Sequence, residues 1–563
     1  MGEILPEHAL TAGSEPKAEA EERSSWGPMF LIGMTQILMV FNISTLQVSI
    51  DGIVASFGAA ATTVGTAIVA YSLVVAAFIM VGAKLSARLG PLRVFRASVL
   101  LFGAAMGVMA LSPAASVMIV AQLLAGVAAA AVVPTLVVLI ADNYRGRQQG
   151  EALGWLGGAQ AMGLVLAFLV AGALATWVGW RFTFALLALL ALGIWWRSSR
   201  LRPVVSRADV AIDGVGAALA AAGIVLISVG ANNLTDWGVL LAGPGAPFAV
   251  LDMSPAPIMI VIGIFLLEGF LTWTRRRREA GAATLVALEV LDTPTERSTL
   301  FSMFAIGALG SAITFLIPLY IQIVQGRSSF ATAVAIVPFS LASFAAAVLV
   351  VRLQDRLSPR LIARYAFMLM AVALALLGAV IRNDWSDAMV IVSMIAAGAG
   401  EGALITLLFN VLVSASPREM AGDVGSLRGV ANNLAAGVGT AIAGALVAGV
   451  LSVSIHRELV HETRLPNELK REIGLDNVSF VSNDGLRRML EQTTATTGQV
   501  NEAMRINTEA RLLALKVTFF ALAGLGLLAY FPAGRLPAHV RLPTGREPRP
   551  LAEEPRSPSS PTI

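Results

Sequence analysis

The chain has 563 residues, of which 56% are hydrophobic and only 13% charged, with a mean hydropathy of +0.76. An ordinary soluble domain carries about 25% charged residues, so this composition predicts a membrane protein, and a formal charge of +4 dispersed between apolar runs offers no nucleic-acid patch. The absence of cysteine excludes disulfides, thiol nucleophiles and thiolate metal sites. The four histidines, His8, His456, His461 and His539, all lie outside apolar runs, which excludes a histidine relay inside the membrane.

Residues 1–27 are polar, without the basic start of a signal peptide, and read as a disordered cytosolic tail. Runs of about 20 apolar residues, each able to cross ~30 Å of hydrocarbon, then follow near 28–50, 62–82, 94–112, 116–140, 152–178 and 181–196. A linker with Arg197, Arg200, Arg202 and Arg207 leads to two further runs near 214–232 and 256–273, closed by Arg275 to Arg278. The rest fall near 298–322, 330–351, 361–381, 388–412, 423–451 and 512–532. The pattern predicts an all-α polytopic protein of about fourteen spans, with 28–196 a first six-helix unit and 197–297 linkers and two extra spans. Segments 298–451 and 512–532 form a second six-helix unit, and 533–563 a cytosolic tail. Residues 452–511 hold eight basic and nine acidic side chains and read as a polar cap or a solvated loop. Helical stretches are expected near 467–473 and 484–492, and His456 and His461, five apart, do not share a helix face, so no metal site is expected.

Alternate loops concentrate the basic residues: Lys84, Arg88, Arg93 and Arg96; Arg145 and Arg147; the two linker clusters; and Arg352, Arg356, Arg360 and Arg364. The excess of positive charge on cytosolic loops predicts that these loops and both termini face the cytosol. Scarce lysine beside abundant arginine and alanine points to a bacterial source, hence an inner membrane. The segment Lys84-Leu-Ser-Ala-Arg-Leu-Gly-Pro91 recurs without a gap as Arg352-Leu-Gln-Asp-Arg-Leu-Ser-Pro359, each at the end of an apolar run. The chain is therefore expected to be built twice, as two bundles facing each other across a central cavity.

Few residues can carry chemistry at membrane depth. Glu401, near the middle of the run 388–412, is costly in hydrocarbon unless paired, hydrated or protonated. It is either a proton carrier or counter-ion, or a protonated group bonded between helices that Gly400 and Gly402 let close. Thr35, Asn42, Thr45 and Ser49 fall on one helix face, suiting a cavity lining that binds by hydrogen bonds or a contact with a neighbouring helix; Gln122 and Gln160 join this set. Lys84, Arg88, Gly90, Arg352, Asp355, Arg356 and Arg428 are candidate gating residues, since a loop Asp can pair with an arginine and accept helix N-terminal amides. Ala87, opposite Asp355 in the repeat, cannot. Glu268, near Trp273, can snorkel to the interface.

Several motifs carry a resemblance: Pro318-Leu-Tyr-Ile-Gln322 through Gly326 to Pro338, the loop 352–359, Gly179-Trp-Arg-Phe182, and Ile212-Asp-Gly-Val-Gly216. Over most of 28–451 the chain resembles the 14-span drug:proton antiporter branch of the major facilitator superfamily. The first half departs from that pattern, with Asn42 in place of a first-span Asp, Ala87 for the loop Asp, Gln122 for the Arg before Gly126, and Ala167-Phe168 for Gly-Pro. The resemblance implies a monomeric secondary transporter, not an enzyme, moving small hydrophobic or amphipathic compounds outward against protons, with no cofactor. No G-x-x-x-x-G-K-[ST] run is present, which argues against an ATP pump. The alternatives are a weakly coupled facilitator or lipid-like substrate mover and, in another class, a non-transporting scaffold or receptor.

Overall fold

The computed structural model describes residues 25–537 other than 60, 145, 202–209, 239, 244, 287–292, 355, 383–387, 416–420, 462–486, 489 and 492–495. The chain is a succession of helices: α1 (Gly27–Val48) with a short continuation α2 (Ile50–Phe57), α3 (Ala61–Leu89), α4 (Pro91–Ala110), α5 (Ala115–Asn143), α6 (Gly146–Trp177) and α7 (Trp180–Arg197). Then come α8 (Gly214–Asn232), a single turn α9 (Leu234–Trp237), α10 (Pro255–Glu279), α11 (Pro294–Leu319), α12 (Ser329–Leu353), α13 (Pro359–Val380), α14 (Ala388–Ala415), α15 (Ala421–His461) and α16 (Thr497–Ala533). Each of the fourteen expected spans falls in its own helix. Thirteen of these helices, among the described residues, are long and apolar enough to cross a membrane, and α6 adds the apolar stretch Gly163–Trp177.

Turn chemistry sets the helix starts. Proline opens α4, α10, α11 and α13, where its missing N–H costs nothing. Thr293 and Glu296 form a reciprocal capping box at α11, and Ser358 caps α13 through the Leu361 N–H. The repeated loop segment is this punctuation used twice, with different results. In the first copy α3 stays helical through Ala87 and Arg88, and Gly90 makes the corner with φ of +98°, which a side chain disfavours. In the second copy α12 stops at Leu353 and the chain turns before Pro359. Asp355 lies outside the described residues.

Helices α1 to α7 form one six-membered bundle and α11 to α16 the other. They meet along two seams, α3 against α15 and α6 against α12. Glycines bring the backbones close inside each bundle: Gly82 and Gly126 of α3 and α5 meet the facing helix, and Gly398 and Gly402 of α14 rest on the Phe339 and Ser343 carbonyls of α12. The inserted pair α8–α10 packs through Gly223, Gly230 and Gly263, and α8 lies on both α3 and α15, covering that seam. Asp213, 3% exposed, anchors the pair: it caps α8, accepts from Trp273 Nε1 at 3.1 and 3.2 Å, and lies 3.8 Å from Arg277 Nε.

At 1.5 Å per residue, α15 (41 residues) and α16 (37 residues) measure about 60 and 55 Å, well beyond a ~30 Å hydrocarbon core. The polar segment expected from 452 therefore begins as continuous helix to His461, and α16 starts at Thr497 rather than near 512. Leu490, Val500 and Ala503 form a small apolar cluster beside this extension. The helix expected over 467–473 lies outside the described residues, as do residues 1–24 and 538–563 of the two tails.

Candidate transport site

The two ends of the molecule differ. At the end carrying Asp51, the bundles are tied by side chains that cross between them. Gln47 of α1 donates to Thr314 of α11 at 3.2 Å; Gln322 donates to the Gln47 carbonyl at 3.0 Å and accepts from the Asp51 N–H at 3.0 Å. The Phe330 N–H of α12 donates to Thr176 of α6 at 2.8 Å, with Trp177 tilted against the Phe330 ring. Gln322 reaches across because α11 ends in a π turn over Tyr320–Val324 just after Pro318, a local rewinding often found at functional positions. The motif around Trp180 and Arg181 closes the same end of the first bundle: Trp180 bonds Ser56 and packs on Gly52, and Arg181 bonds the Ser112 carbonyl.

The polar face of α1 turns into its own bundle. Asn42 and Gln122 are both 0% exposed and exchange two amide hydrogen bonds, 2.8 Å from Asn42 Nδ2 and 3.1 Å back from Gln122 Nε2. Thr35 and Thr45 donate to the Leu31 and Phe41 carbonyls of their own helix, both at 2.8 Å. Ser49, at the break between α1 and α2, is buried and its hydroxyl has no partner among the described residues. Of these four side chains, Asn42 is the one bonded to another helix, joining α1 to α5. Gln160 is half-buried on α6. The face of α1 that meets the second bundle is the one ending at Gln47, and its other partly exposed members are Gln36, Val40 and Ile43. That face has a single polar group in mid-helix, too sparse a signal for periodicity to find.

The second bundle holds the ionisable group. Glu401 sits within the span Ala388–Leu412, where its carboxyl hydrogen-bonds Ser343 of α12 and lies against the α-carbon of Gly310 on α11. A methyl at position 310 would overlap the carboxylate, so three helices converge on this one side chain. The glycines around it face different partners: Gly398 and Gly402 meet α12, and Gly400 meets the Ala366 carbonyl and Met370 of α13. Neither Gly310 nor Ser343 stands out in the sequence, because their role is only defined by the side chain from another helix.

Of the loop candidates, Arg88, Arg352 and Arg356 are exposed, Lys84 is half-buried, and Gly90 is buried at its corner. Arg428 is half-buried on α15. Its guanidinium stands 3.9 Å over the Phe409 ring of α14. Gly429 packs on Ile79 of α3, whereas Gly425 has open space beside it. At this end each bundle has its own ties: Tyr144 accepts from the Met29 N–H and donates to the Ser25 carbonyl, both at 3.0 Å. Arg360 donates to the Leu536 carbonyl at 3.0 Å.

Two apolar bundles joined across a polar seam, with the Glu401 carboxyl inside an apolar span, fit a polytopic membrane transporter. The chain belongs to the Major Facilitator Superfamily, whose sequence profile it matches over residues 32–440. It is 24% identical over 430 residues to the "Probable transport protein HsrA" of Haemophilus influenzae, covering 75% of this chain and 88% of that one. It is 25% identical over 380 residues to the puromycin resistance protein pur8 of Streptomyces alboniger, covering 66% and 70%. The fold is similar to a bacterial homologue of the human lysosomal transporter Spinster in an inward-facing, occupied conformation. The TM-score is 0.57 and the identity 14%, over 91% of this chain and 98% of that one.

Proposed function

We propose that the protein is a proton-coupled exporter of hydrophobic or amphipathic organic compounds, and that Glu401 carries the proton. The observation that carries this reading is the Glu401 carboxyl, held at membrane depth by one hydroxyl and seated in the space left by Gly310. An isolated carboxylate there is costly, and gaining a proton removes the cost. Several relatives are named for antibiotic transport or resistance, which supports an amphipathic substrate. The basic loops support a cytosolic Arg352 end and cytosolic termini in a bacterial inner membrane, which would turn the Asp51 end, tied by Gln47 and Gln322, outward. The protein acts as a monomer.

The test is transport in proteoliposomes under an imposed pH gradient. Glu401→Gln, which keeps the shape and the contact with Ser343, is expected to abolish gradient-driven transport while substrate binding stays within about threefold, an effect worth less than 1 kcal/mol. Unchanged driven transport in that variant overturns the assignment. A weakly coupled facilitator is the second reading, favoured by one observation: the first bundle presents the uncharged Gln36, Val40 and Ile43 where α1 faces the second bundle. Wild-type transport that ignores the imposed gradient would establish it.

A further inference from the structure

Arg428 is a cation inside the span Gly425–Ser454, and among the described residues no carboxylate pairs with it. Its contact is the Phe409 ring of α14, whose face offsets only part of the cost of removing a guanidinium from water. Two other arginines have acidic partners: Arg277 has Asp213, and Arg505 lies between Glu502 and Glu509. One turn further along α15 is Asn432, which is exposed although it lies within a membrane span.

The packing of α15 locates both residues. Ala435 and Gly439 rest on Gly307 and Ala308 of α11, while Gly429 and Gly437 rest on Ile79 and Ser72 of α3. Val430 and Leu434 are covered by the α8 hairpin. Asn432 lies on the α11 side of the sector between these two contacts, its Oδ1 close to Gly307, and Arg428, one turn earlier, falls in line with the α11 contact. That sector opens on the space between the bundles. Phe409, and with it Arg428, lies eight residues beyond Glu401 on α14, about 12 Å toward the Arg352 end.

We infer that Arg428 and Asn432 hold the anionic headgroup of an amphipathic substrate. The inference deepens the reading above, since it takes the space between the bundles as the transport route. A guanidinium presents five N–H donors and no acceptor, and the amide adds two more, so the pair offers donors matched to a sulfonate, carboxylate or phosphate. On the first bundle, α1 presents Gln36, Val40 and Ile43 toward the second, and these repel no anion and suit an apolar body. Glu401 lies far enough away to leave the headgroup unopposed. A cationic compound would meet Arg428 first and be disfavoured.

The test compares two probes with the same aromatic body, 1-anilinonaphthalene-8-sulfonate and the uncharged N-phenyl-1-naphthylamine. The full chain is held in phosphatidylcholine nanodiscs without any gradient, so failure of proton coupling at Glu401 does not affect the result. Arg428→Gln is expected to weaken sulfonate binding by about tenfold, as loss of a charge-assisted contact does, and to leave the amine within about twofold. Asn432→Asp should reproduce that selective loss without touching the Phe409 contact, and Arg428→Lys should retain most of the affinity. Adding phosphatidylglycerol identifies the source of the anion: competition with the sulfonate marks a lipid headgroup, and no competition a soluble amphiphile. Equal weakening of both probes, or no weakening of the sulfonate in either Arg428→Gln or Asn432→Asp, overturns the inference.

Discussion

The two bundles share a repeated loop segment, yet they treat buried polarity in opposite ways. The first closes Asn42 and Gln122 into a neutral pair in which every short-range donor and acceptor between them is used. The second leaves Glu401 with a hydroxyl partner and a glycine-shaped hollow. A pair that satisfies itself has no reason to change state as the transporter moves. A lone carboxyl bonded by one hydroxyl can gain or lose a proton at modest structural cost. Buried polar groups are therefore informative only with their partners: the same membrane depth holds a rivet in one bundle and an ionisable group in the other.

The largest effect should come from filling the hollow. Gly310→Ala puts a methyl where the Glu401 carboxylate lies, and overpacking of this kind costs roughly 1–3 kcal/mol. The expected outcome is a lower melting temperature together with a loss of gradient-driven transport, both read on the same preparation. Gly107→Ala in the first bundle is the control, because no atom lies within 4 Å of the added methyl; it should be neutral or slightly stabilising. If Gly310→Ala transports normally, the hollow is not needed by Glu401 and the contrast between the bundles weakens.

Much of this contrast was legible in the sequence, and the limit has a physical cause. Hydropathy located all fourteen helices, because crossing a bilayer demands about 20 apolar residues whatever the neighbours are. The depth of Glu401 was readable for the same reason. Periodicity also found the shared face of Thr35, Asn42, Thr45 and Ser49, but a helix in a bundle has several buried faces, and the pattern does not say which neighbour each one meets. Gln122 is the residue that decides it, 80 positions away. Gln322 and Gly310 were illegible in a stricter sense: one acts through a π turn and the other through the absence of a side chain, and neither leaves a period. The segments 84–91 and 352–359 match in sequence, yet the first is helix and the second a turn, since Gly90 and Ser358 solve the corner differently.

The amide pair offers a sharper version of the comparison. Asn42→Ala strands the Gln122 side chain among apolar neighbours, at a cost of about 1–3 kcal/mol, although bonds inside membrane bundles sit toward the lower end. The double variant Asn42→Leu with Gln122→Leu removes both partners and should recover most of the stability lost by the single one. Transport should survive in the double variant if the pair only holds α1 to α5. A double variant that is stable and yet inactive would move the pair from scaffold to mechanism, and the second bundle would no longer act alone.

The smallest effect concerns how each bundle secures its Arg352 end. The first uses a neutral phenol, with Tyr144 bridging the Met29 N–H and the Ser25 carbonyl beneath the stacked Trp26 ring. The second uses charge, with Arg360 on the Leu536 carbonyl and Arg364 over the Tyr530 ring. Tyr144→Phe keeps the ring stack and removes only the hydroxyl, so the Met29 N–H in the first turn of α1 loses its acceptor, which the N-cap residue Trp26 does not replace. A cap is worth about 1 kcal/mol, and the loss should appear as fraying of residues near 25–29 in hydrogen exchange, with little change in transport. The loss should also be insensitive to salt, because no charge is involved. Arg360→Ala should cost a similar amount. Charged contacts at an exposed end are screened within about 10 Å at 0.1 M salt, so the Arg360→Ala loss should shrink as ionic strength rises. Equal salt dependence of the two variants would mean that the bundles secure this end by the same physics after all.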